Sequence, residues 1–150
     1  MRVIIAAVGR DRAGPSRELF EDYCRRSPWP VHLAEIAPRT GPLERRLDAE
    51  AQRLLRAVPK GALLIALDAS GRQTDSAGFA RRIGRWQEQT GVVVFAIGGA
   101  DGLARSVLDQ AKATLAFGRM TWPHRLVRVM LAEQIYRAGT ILSGHPYHRA

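Results

Sequence analysis

The sequence Leu-Ala-Phe-Gly-Arg-Met-Thr-Trp-Pro-His-Arg-Leu-Val-Arg-Val-Met-Leu, residues 115–131, organises the rest of this chain. It begins as a strand-like segment, turns at Gly118 and continues from Pro123 as an apolar helix that carries arginines. Proline is favoured in the first turn of a helix. The unpaired N–H groups and the positive dipole at a helix N-terminus make such a turn a common place to bind a ligand. The stretch therefore predicts a ligand-binding loop that leads into a helix.

On both sides of this stretch, short apolar runs alternate with amphipathic stretches along the whole chain. The alternation predicts an α/β fold with a mostly parallel sheet flanked by helices. No repeat, low-complexity segment or linker interrupts it, so residues 1–150 are expected to form a single domain. The predicted strands are 3–8, 31–36, 63–67, 92–97 and 114–117, and the predicted helices are 16–26, 43–58, 76–90, 103–111 and 123–138.

The charge of the chain is unusual for a folded domain. Lys and Arg number 23 against 14 Asp and Glu, which gives a net charge of +9, and only Lys60 and Lys112 are lysines. An excess of arginine favours a polyanionic partner such as nucleic acid. A biased genome composition is the alternative explanation for the same excess.

Several classes of protein are disfavoured by what the sequence lacks. The single cysteine, Cys24, cannot form an internal disulfide and fits a reducing cytoplasm. No apolar run has transmembrane length, and no His/Cys spacing is typical of a metal site, so neither a membrane nor a metal is expected. A phosphate-binding P-loop and the serine-hydrolase elbow are both missing.

Three predicted strands end in unusual loops. They are Leu67-Asp68, Gly98-Gly99 and the segment from Gly118 onwards. Ligands of open parallel sheets bind beyond the carboxyl ends of the strands, and glycine lets a ligand approach the backbone. Ordinary turn chemistry would explain any one of these loops, but the three together favour a ligand crevice.

The helix after the last strand is apolar nearly all round. Such a helix is either buried within the chain or shared with another chain. The second reading predicts a two-fold homodimer. Three arginines near its start, Arg119, Arg125 and Arg128, could bind phosphates or balance Glu133, and their position beside a glycine loop favours binding of an anion.

Several blocks of sequence carry a resemblance to a known family. They are Leu67-Asp68 with Gly71, the Ile-Gly-Gly-x-x-Gly-Leu block at 97–103, Met-Thr-Trp-Pro-His at 120–124, the helix at 126–138 and His-Pro-Tyr-His-Arg at 145–149. Over its whole length the chain resembles the RlmH family of 23S ribosomal RNA large subunit methyltransferases, which are SPOUT-class enzymes. The resemblance implies a SPOUT-type fold with a C-terminal trefoil knot, S-adenosyl-L-methionine as cofactor, and a cytoplasmic homodimer. It also implies methylation of N3 of a pseudouridine in helix 69 of 23S rRNA, within the assembled ribosome.

The resemblance also implies roles for individual residues, matched by their position in the motifs. It implies that the C-terminal tail of one subunit completes the site of the other subunit. Arg119 stands where family members more often have a small or apolar residue. The base for the N3 proton would be His148 or Asp68, and Asp68 could instead offset the charge of the cofactor. The implied cofactor contacts are Leu67, Gly99, Gly118, Arg119, Met120, Thr121, Trp122 and Pro123; the RNA contacts are His124, Arg125, Arg128, Tyr147, His148 and Arg149; and the catalytic residues are His148, Asp68 and Arg149.

Two other functions fit the same sequence. A non-catalytic ribosome-binding or assembly factor could retain the crevice without using it. A SPOUT methyltransferase could also act on tRNA instead of ribosomal RNA. Binding of the cofactor distinguishes the first from an enzyme, and the position of the methyl group distinguishes the second.

Overall fold

The computed structural model describes residues 1–149. Five strands form one sheet in the order β2-β1-β4-β3-β5, and every pairing is parallel. The expected α/β fold with a parallel sheet is therefore confirmed. The strands are β1 (Arg2–Val8), β2 (Val31–Ile36), β3 (Leu63–Arg72), β4 (Val92–Ile97) and β5 (Ala113–Leu115).

Helices cover both faces of the sheet. The helices are α1 (Pro15–Arg26), α2 (Leu43–Arg56), α3 (Ser76–Gln89), α4 (Arg105–Gln110) and α5 (His124–Leu142). Helices α1, α3 and α5 share one apolar core with the sheet, and α2 and α4 share a second core on the opposite face. Strand β4 lies between the two cores, and Val93 to Ile97 are all buried. Burial on both faces explains why this strand is a continuous apolar run.

Strand β3 is longer than its apolar run predicts. It continues through a register break to Arg72, so Leu67 and Arg72 both pair with Leu115 of β5. The backbone of the two segments meets closely, because a Cβ at Gly71 would lie 2.6 Å from the carbonyl carbon of Leu115. Residues 68–72 therefore cross the end of β5, which is correspondingly shorter than predicted. This crossing is consistent with the trefoil knot that the resemblance implies, and the knot itself stays a prediction.

Helix α5 packs between α1 and α3. Most of its apolar side chains are buried within the chain, including Leu131 and Ile135 at 0% exposure. Leu126 and Leu142, near its two ends, are 45% and 48% exposed. The apolar character of α5 therefore comes largely from packing within one chain.

A glycine in α5 gives a stability prediction. A Cβ at Gly139 would lie 2.7 Å from Cδ of Pro28 and closer still to Cγ, and neither the proline ring nor the helix can yield freely. We expect Gly139→Ala to lower the free energy of unfolding by about 2 kcal/mol, as overpacked substitutions do. Thermal unfolding at a fixed protein concentration measures the change.

Gly84 in α3 is the matched control. A Cβ there would make ordinary contacts, the nearest at 3.5 Å from Leu142. Because alanine stabilises a helix relative to glycine, Gly84→Ala should raise the stability by about 0.5–1 kcal/mol. Equal effects of the two substitutions would contradict the packing of Pro28 on α5.

Candidate active site

A cleft of about 590 Å³ opens at the carboxyl edge of the sheet. The ends of β3, β4 and β5 and the first turn of α5 form its walls. Its volume is in the range of pockets that hold small molecules and cofactors. The walls comprise Leu67, Asp68, Ala69, Ile97, Gly98, Gly99, Ala100, Gly102, Leu115, Ala116, Phe117, Gly118, Met120, Thr121, Trp122, Pro123, His124 and Val127.

The loop after β4 folds tightly on itself. Gly102 donates its N–H to the carbonyl of Gly99 at 3.1 Å. A Cβ at Gly98 would lie 2.9 Å from the nitrogen of Leu103 and closer to the carbonyl of Gly102. Glycine at position 98 is therefore required by close contact of the backbone, and Gly98, Gly99 and Gly102 of this turn line the cleft.

The loop after β5 forms the outer wall. Gly118 has a φ of 102°, a conformation that favours glycine. The indole Nε1 of Trp122 donates to the carbonyl of Phe117 at 3.1 Å and so closes the loop. Met120 is 73% exposed and Trp122 is 41% exposed, so the rim of the cleft offers apolar surface to solvent.

Asp68 is the carboxylate of the cleft wall. Its Oδ1 accepts hydrogen bonds from the backbone N–H of Ser70 at 2.9 Å and from the Ser70 hydroxyl at 2.5 Å. These bonds fix the side chain at the end of the apolar part of β3. They leave Oδ2, which lies 4.0 Å from the Cβ position of Gly102, available to a ligand.

The C-terminal tail packs on the second half of α5. The hydroxyl of Tyr147 donates to Glu133 at 3.1 Å, and its ring lies 4.6 Å from the ring of Tyr136. The Arg137 guanidinium lies 4.8 Å from the Tyr147 ring centre, and its NH1 is 3.4 Å from Nδ1 of His148. Burial, with hydrogen bonding to Tyr23 and Glu133, raises the pKa of Tyr147 to about 12, so the phenol stays protonated and donates at neutral pH.

This tail is distant from the cleft of its own chain. His124 lines the cleft, whereas the tail contacts Glu133 and Arg137. With a rise of about 1.5 Å per residue, Arg137 lies about 20 Å along α5 from His124. His148 and Arg149 are therefore not brought together with Asp68 within one chain.

The family model described as "Predicted SPOUT methyltransferase" matches residues 1–148. The chain belongs to the SPOUT methyltransferase family. Proteins named "Ribosomal RNA large subunit methyltransferase H" are similar to it over their full length. The one from Rhodospirillum centenum is 56% identical and covers 100% of both chains, and the one from Paracoccus denitrificans is 50% identical and covers 99% of each. The resemblance to the RlmH family is thus confirmed, and the chain is a methyltransferase.

A solved structure supports the SPOUT fold. The chain superposes on a "probable methylase family protein" from Haemophilus influenzae with a TM-score of 0.61. The superposition covers 99% of this chain and 70% of that one, at 11% identity. At this identity the likeness concerns the fold alone.

Seven of the eight cofactor residues expected from the SPOUT resemblance line the cleft, and the eighth, Arg119, does not. Arg119 is exposed and lies outside the cleft walls. His124, expected at the RNA, also lines the cleft.

The expectation that Arg128 contacts RNA is corrected by its burial. Its side chain is 2% exposed, and NH1 donates to Oε1 of Glu35 at 3.0 Å. NH2 donates to the carbonyls of Val8 at 3.2 Å and Gly9 at 2.8 Å. Arg128 thus joins α5 to the carboxyl ends of β1 and β2 and has no donor left at the surface. Tyr147 is likewise packed on α5, as described above, with its ring against Tyr136.

The structure shows a second ionic cluster beside the cleft, centred on Asp11, that the sequence did not predict. Asp11, which is 6% exposed, accepts from the Ser16 hydroxyl at 3.2 Å and pairs with Nε of Arg125 at 3.5 Å. Its backbone N–H donates to Oε1 of Glu35 at 2.9 Å. The only signal in the sequence is the run Arg10-Asp11-Arg12, in which a lone acid separates two arginines.

The part of the chain that the structure describes holds neither a metal cluster nor a membrane-spanning helix. Within residues 1–149, no cluster of three or more His, Cys, Asp or Glu side chains is arranged to hold a metal ion. No helix in the same part of the chain is long and apolar enough to cross a membrane. Burial raises the pKa of the Cys24 thiol to about 11, so this side chain stays protonated at neutral pH.

Proposed function

We propose that this chain uses S-adenosyl-L-methionine to methylate N3 of a pseudouridine in helix 69 of 23S rRNA, in the assembled ribosome. The observation that carries the proposal is the cleft at the carboxyl edge of the sheet. Seven of the residues that the RlmH resemblance implies as cofactor contacts line this cleft, although they come from three separate parts of the chain. The names of the relatives support ribosomal RNA as the class of substrate.

The cleft fits a nucleoside cofactor in size and chemistry. Its volume of about 590 Å³ accepts a molecule of this size, and Leu67, Ile97, Leu115 and Val127 offer apolar surface for an adenine ring. The Gly98–Gly99 turn has no side chains, so its backbone forms this part of the cleft wall. A Cβ at Gly99 would crowd Val8 Cγ1 at 3.2 Å. Asp68 contributes a carboxylate to the cleft wall, which would balance the positive charge of a sulfonium if it does not act as the base.

In this proposal, the residues of the chain orient the pseudouridine and accept its N3 proton. When bound, the cofactor supplies a methyl group on a sulfonium, which is transferred to N3 as the N3 proton leaves. Because the methyl group is already activated, orientation of the nucleotide can supply much of the rate. Asp68 in the cleft and His148 in the tail are the two candidates for the proton acceptor.

The working unit is proposed to be a cytoplasmic homodimer. Within one chain the tail packs about 20 Å along α5 from the cleft, by the helical rise. The tail of the second subunit is therefore proposed to bring His148 and Arg149 to this cleft. The exposed apolar side chains of Leu19, Leu126 and Leu142 provide surface for the contact between subunits.

The decisive experiment uses ribosomes from a strain that lacks this methylation. Purified protein and labelled S-adenosyl-L-methionine should place one methyl group on the helix 69 pseudouridine, located by mass mapping of the rRNA. Free 23S rRNA and tRNA should remain unlabelled. Labelled tRNA would instead identify a tRNA methyltransferase. Ribosome binding without cofactor binding in calorimetry would identify a non-catalytic ribosome-binding factor.

A further inference from the structure

We propose that Arg10 and Arg12, in the loop between β1 and α1, bind the phosphate backbone of the RNA next to the cleft. The inference rests on the proposed function and names the surface that holds the substrate. Both side chains are exposed, and neither forms an ion pair with another of the described residues.

The position of the loop follows from the sheet. Strand β1 lies beside β4 in parallel register, and the loop begins directly after Val8. Val8 packs against Gly99 of the cleft wall, as the 3.2 Å approach of a Gly99 Cβ to its Cγ1 shows. On the other side, Asp11 pairs with Arg125, which is next to His124 of the cleft. The loop therefore borders the cleft.

The orientation of the two arginines follows from Asp11. Its carboxylate, its N–H and its carbonyl all have partners within the protein, namely Ser16, Glu35 and Arg17. With Asp11 turned inward and 6% exposed, the residues on either side of it are exposed to solvent. Asp11 thus acts as a positioning residue for Arg10 and Arg12.

The charge of the loop is left uncompensated. The carboxylate within the loop, Asp11, is already paired with Arg125, and Glu35, which accepts from the Asp11 N–H, is paired with Arg128 and Arg17. Two free guanidiniums at the edge of a cleft fit the phosphates of an RNA strand whose base enters that cleft. Such contacts hold the strand without reading its sequence, and their strength falls with salt.

The test compares two double variants that remove the same charge. Arg10→Gln/Arg12→Gln changes the loop, and Arg53→Gln/Arg56→Gln changes exposed arginines in the last turns of α2, at the opposite edge of the sheet. Binding to unmethylated ribosomes is measured by co-sedimentation with S-adenosylhomocysteine present, over a series of salt concentrations. Affinity for S-adenosylhomocysteine alone is measured by calorimetry.

We expect the loop variant to bind ribosomes at least tenfold more weakly at moderate salt, with cofactor affinity within twofold of the parent. The slope of log K against log salt should decrease by about 1–2, the value for two lost phosphate contacts. The α2 variant should stay within twofold of the parent. The inference is overturned if the two variants weaken ribosome binding equally, or if the loop variant binds as the parent does.

A positioning variant supplies a second readout. Asp11→Asn keeps the size of the side chain but weakens the contacts with Ser16 and Arg125 that hold the loop. It should lower ribosome affinity through the orientation of Arg10 and Arg12, although the net charge rises by one, whereas a purely electrostatic effect would raise the affinity. Asp11→Asn combined with the loop variant should cause no further loss if Asp11 acts through the arginines. Ribosome binding without methyl transfer by the parent would refute the proposed reaction and leave this comparison intact.

Discussion

Replacement of Arg128 by methionine is expected to lower the free energy of unfolding by about 3–5 kcal/mol, the cost of breaking a buried ion pair. Methionine fills much of the space but donates nothing, so the carbonyls of Val8 and Gly9 lose the hydrogen bonds from Arg128, and Glu35 keeps only the Asp11 N–H and Arg17. The midpoint of thermal unfolding should fall by about 10 °C for a chain of this length. Calorimetry at one fixed protein concentration measures this shift, because the proposed dimer would unfold in a concentration-dependent way.

Two further variants separate burial from charge. Arg105 forms an exposed ion pair with Asp109, with side-chain exposures of 84% and 59%. Arg105→Met should therefore change stability by less than about 1 kcal/mol. Arg128→Lys keeps the charge but cannot reach three acceptors in a fixed fork, and it should lose most of the stability that Arg128→Met loses. If Arg128→Met unfolds at the same temperature as Arg105→Met, the buried cluster does not hold α5 on the sheet.

The burial of Arg128 could not be predicted from the sequence, whereas the order of strands and helices could. The alternation of apolar runs and amphipathic stretches predicts the order of strands and helices, because each pattern follows from burial within its own element. The partners of Arg128 lie elsewhere in the chain, Glu35 at 93 positions and Val8 at 120 positions from it. No local pattern distinguishes an arginine buried against distant carbonyls from one that faces RNA.

The candidate site also has features that the sequence predicts and features that depend on contacts between distant residues. The glycines at 98, 99 and 118 predict tight loops at the carboxyl edge of the sheet, and these loops form the cleft. The crossing of β5 by residues 68–72 depends on a contact between Gly71 and Leu115, which a sequence read in order does not reveal. The positioning role of Asp11 likewise depends on Arg125 and Glu35, which approach it only in the folded chain.

Loss of the His148 and Arg149 side chains from the C-terminal tail is expected to reduce methyl transfer by at least a hundredfold, the range typical of removing general acid–base groups. The change is the double substitution His148→Ala/Arg149→Ala, which leaves Tyr147 and its contacts with Glu133 and Tyr136 in place. Binding of S-adenosyl-L-methionine should stay within twofold of the parent, because the residues proposed to hold the cofactor are Leu67, Gly99 and the loop 118–123, and none of them lies in the tail. Single-turnover methylation of unmodified ribosomes measures the loss, and calorimetry measures the binding. Equal rates in parent and variant would contradict a catalytic role for the tail.

Mixing of subunits then decides which chain supplies the tail. One subunit carries His148→Ala/Arg149→Ala with an intact cleft, and the other carries Gly98→Val, whose side chain would collide with the carbonyl of Gly102 and distort the cleft. Each homodimer should be inactive. In a random mixture about half of the dimers are heterodimers, and the intact tail of one subunit can then meet the intact cleft of the other in one of their two sites.

Activity near a quarter of the parent level is therefore expected in the mixture if the tail acts across the dimer. A tail that acted within its own chain would leave every dimer inactive, because no subunit would hold both an intact cleft and an intact tail. The Gly98→Val subunit must keep its fold and its dimeric state, which circular dichroism and size-exclusion chromatography establish before mixing. The separation of about 20 Å between His124 and Arg137 along α5 favours the first outcome. A helix of this length separates the tail from the cleft of its own chain, so the proposal predicts that the activity of each site depends on the second subunit.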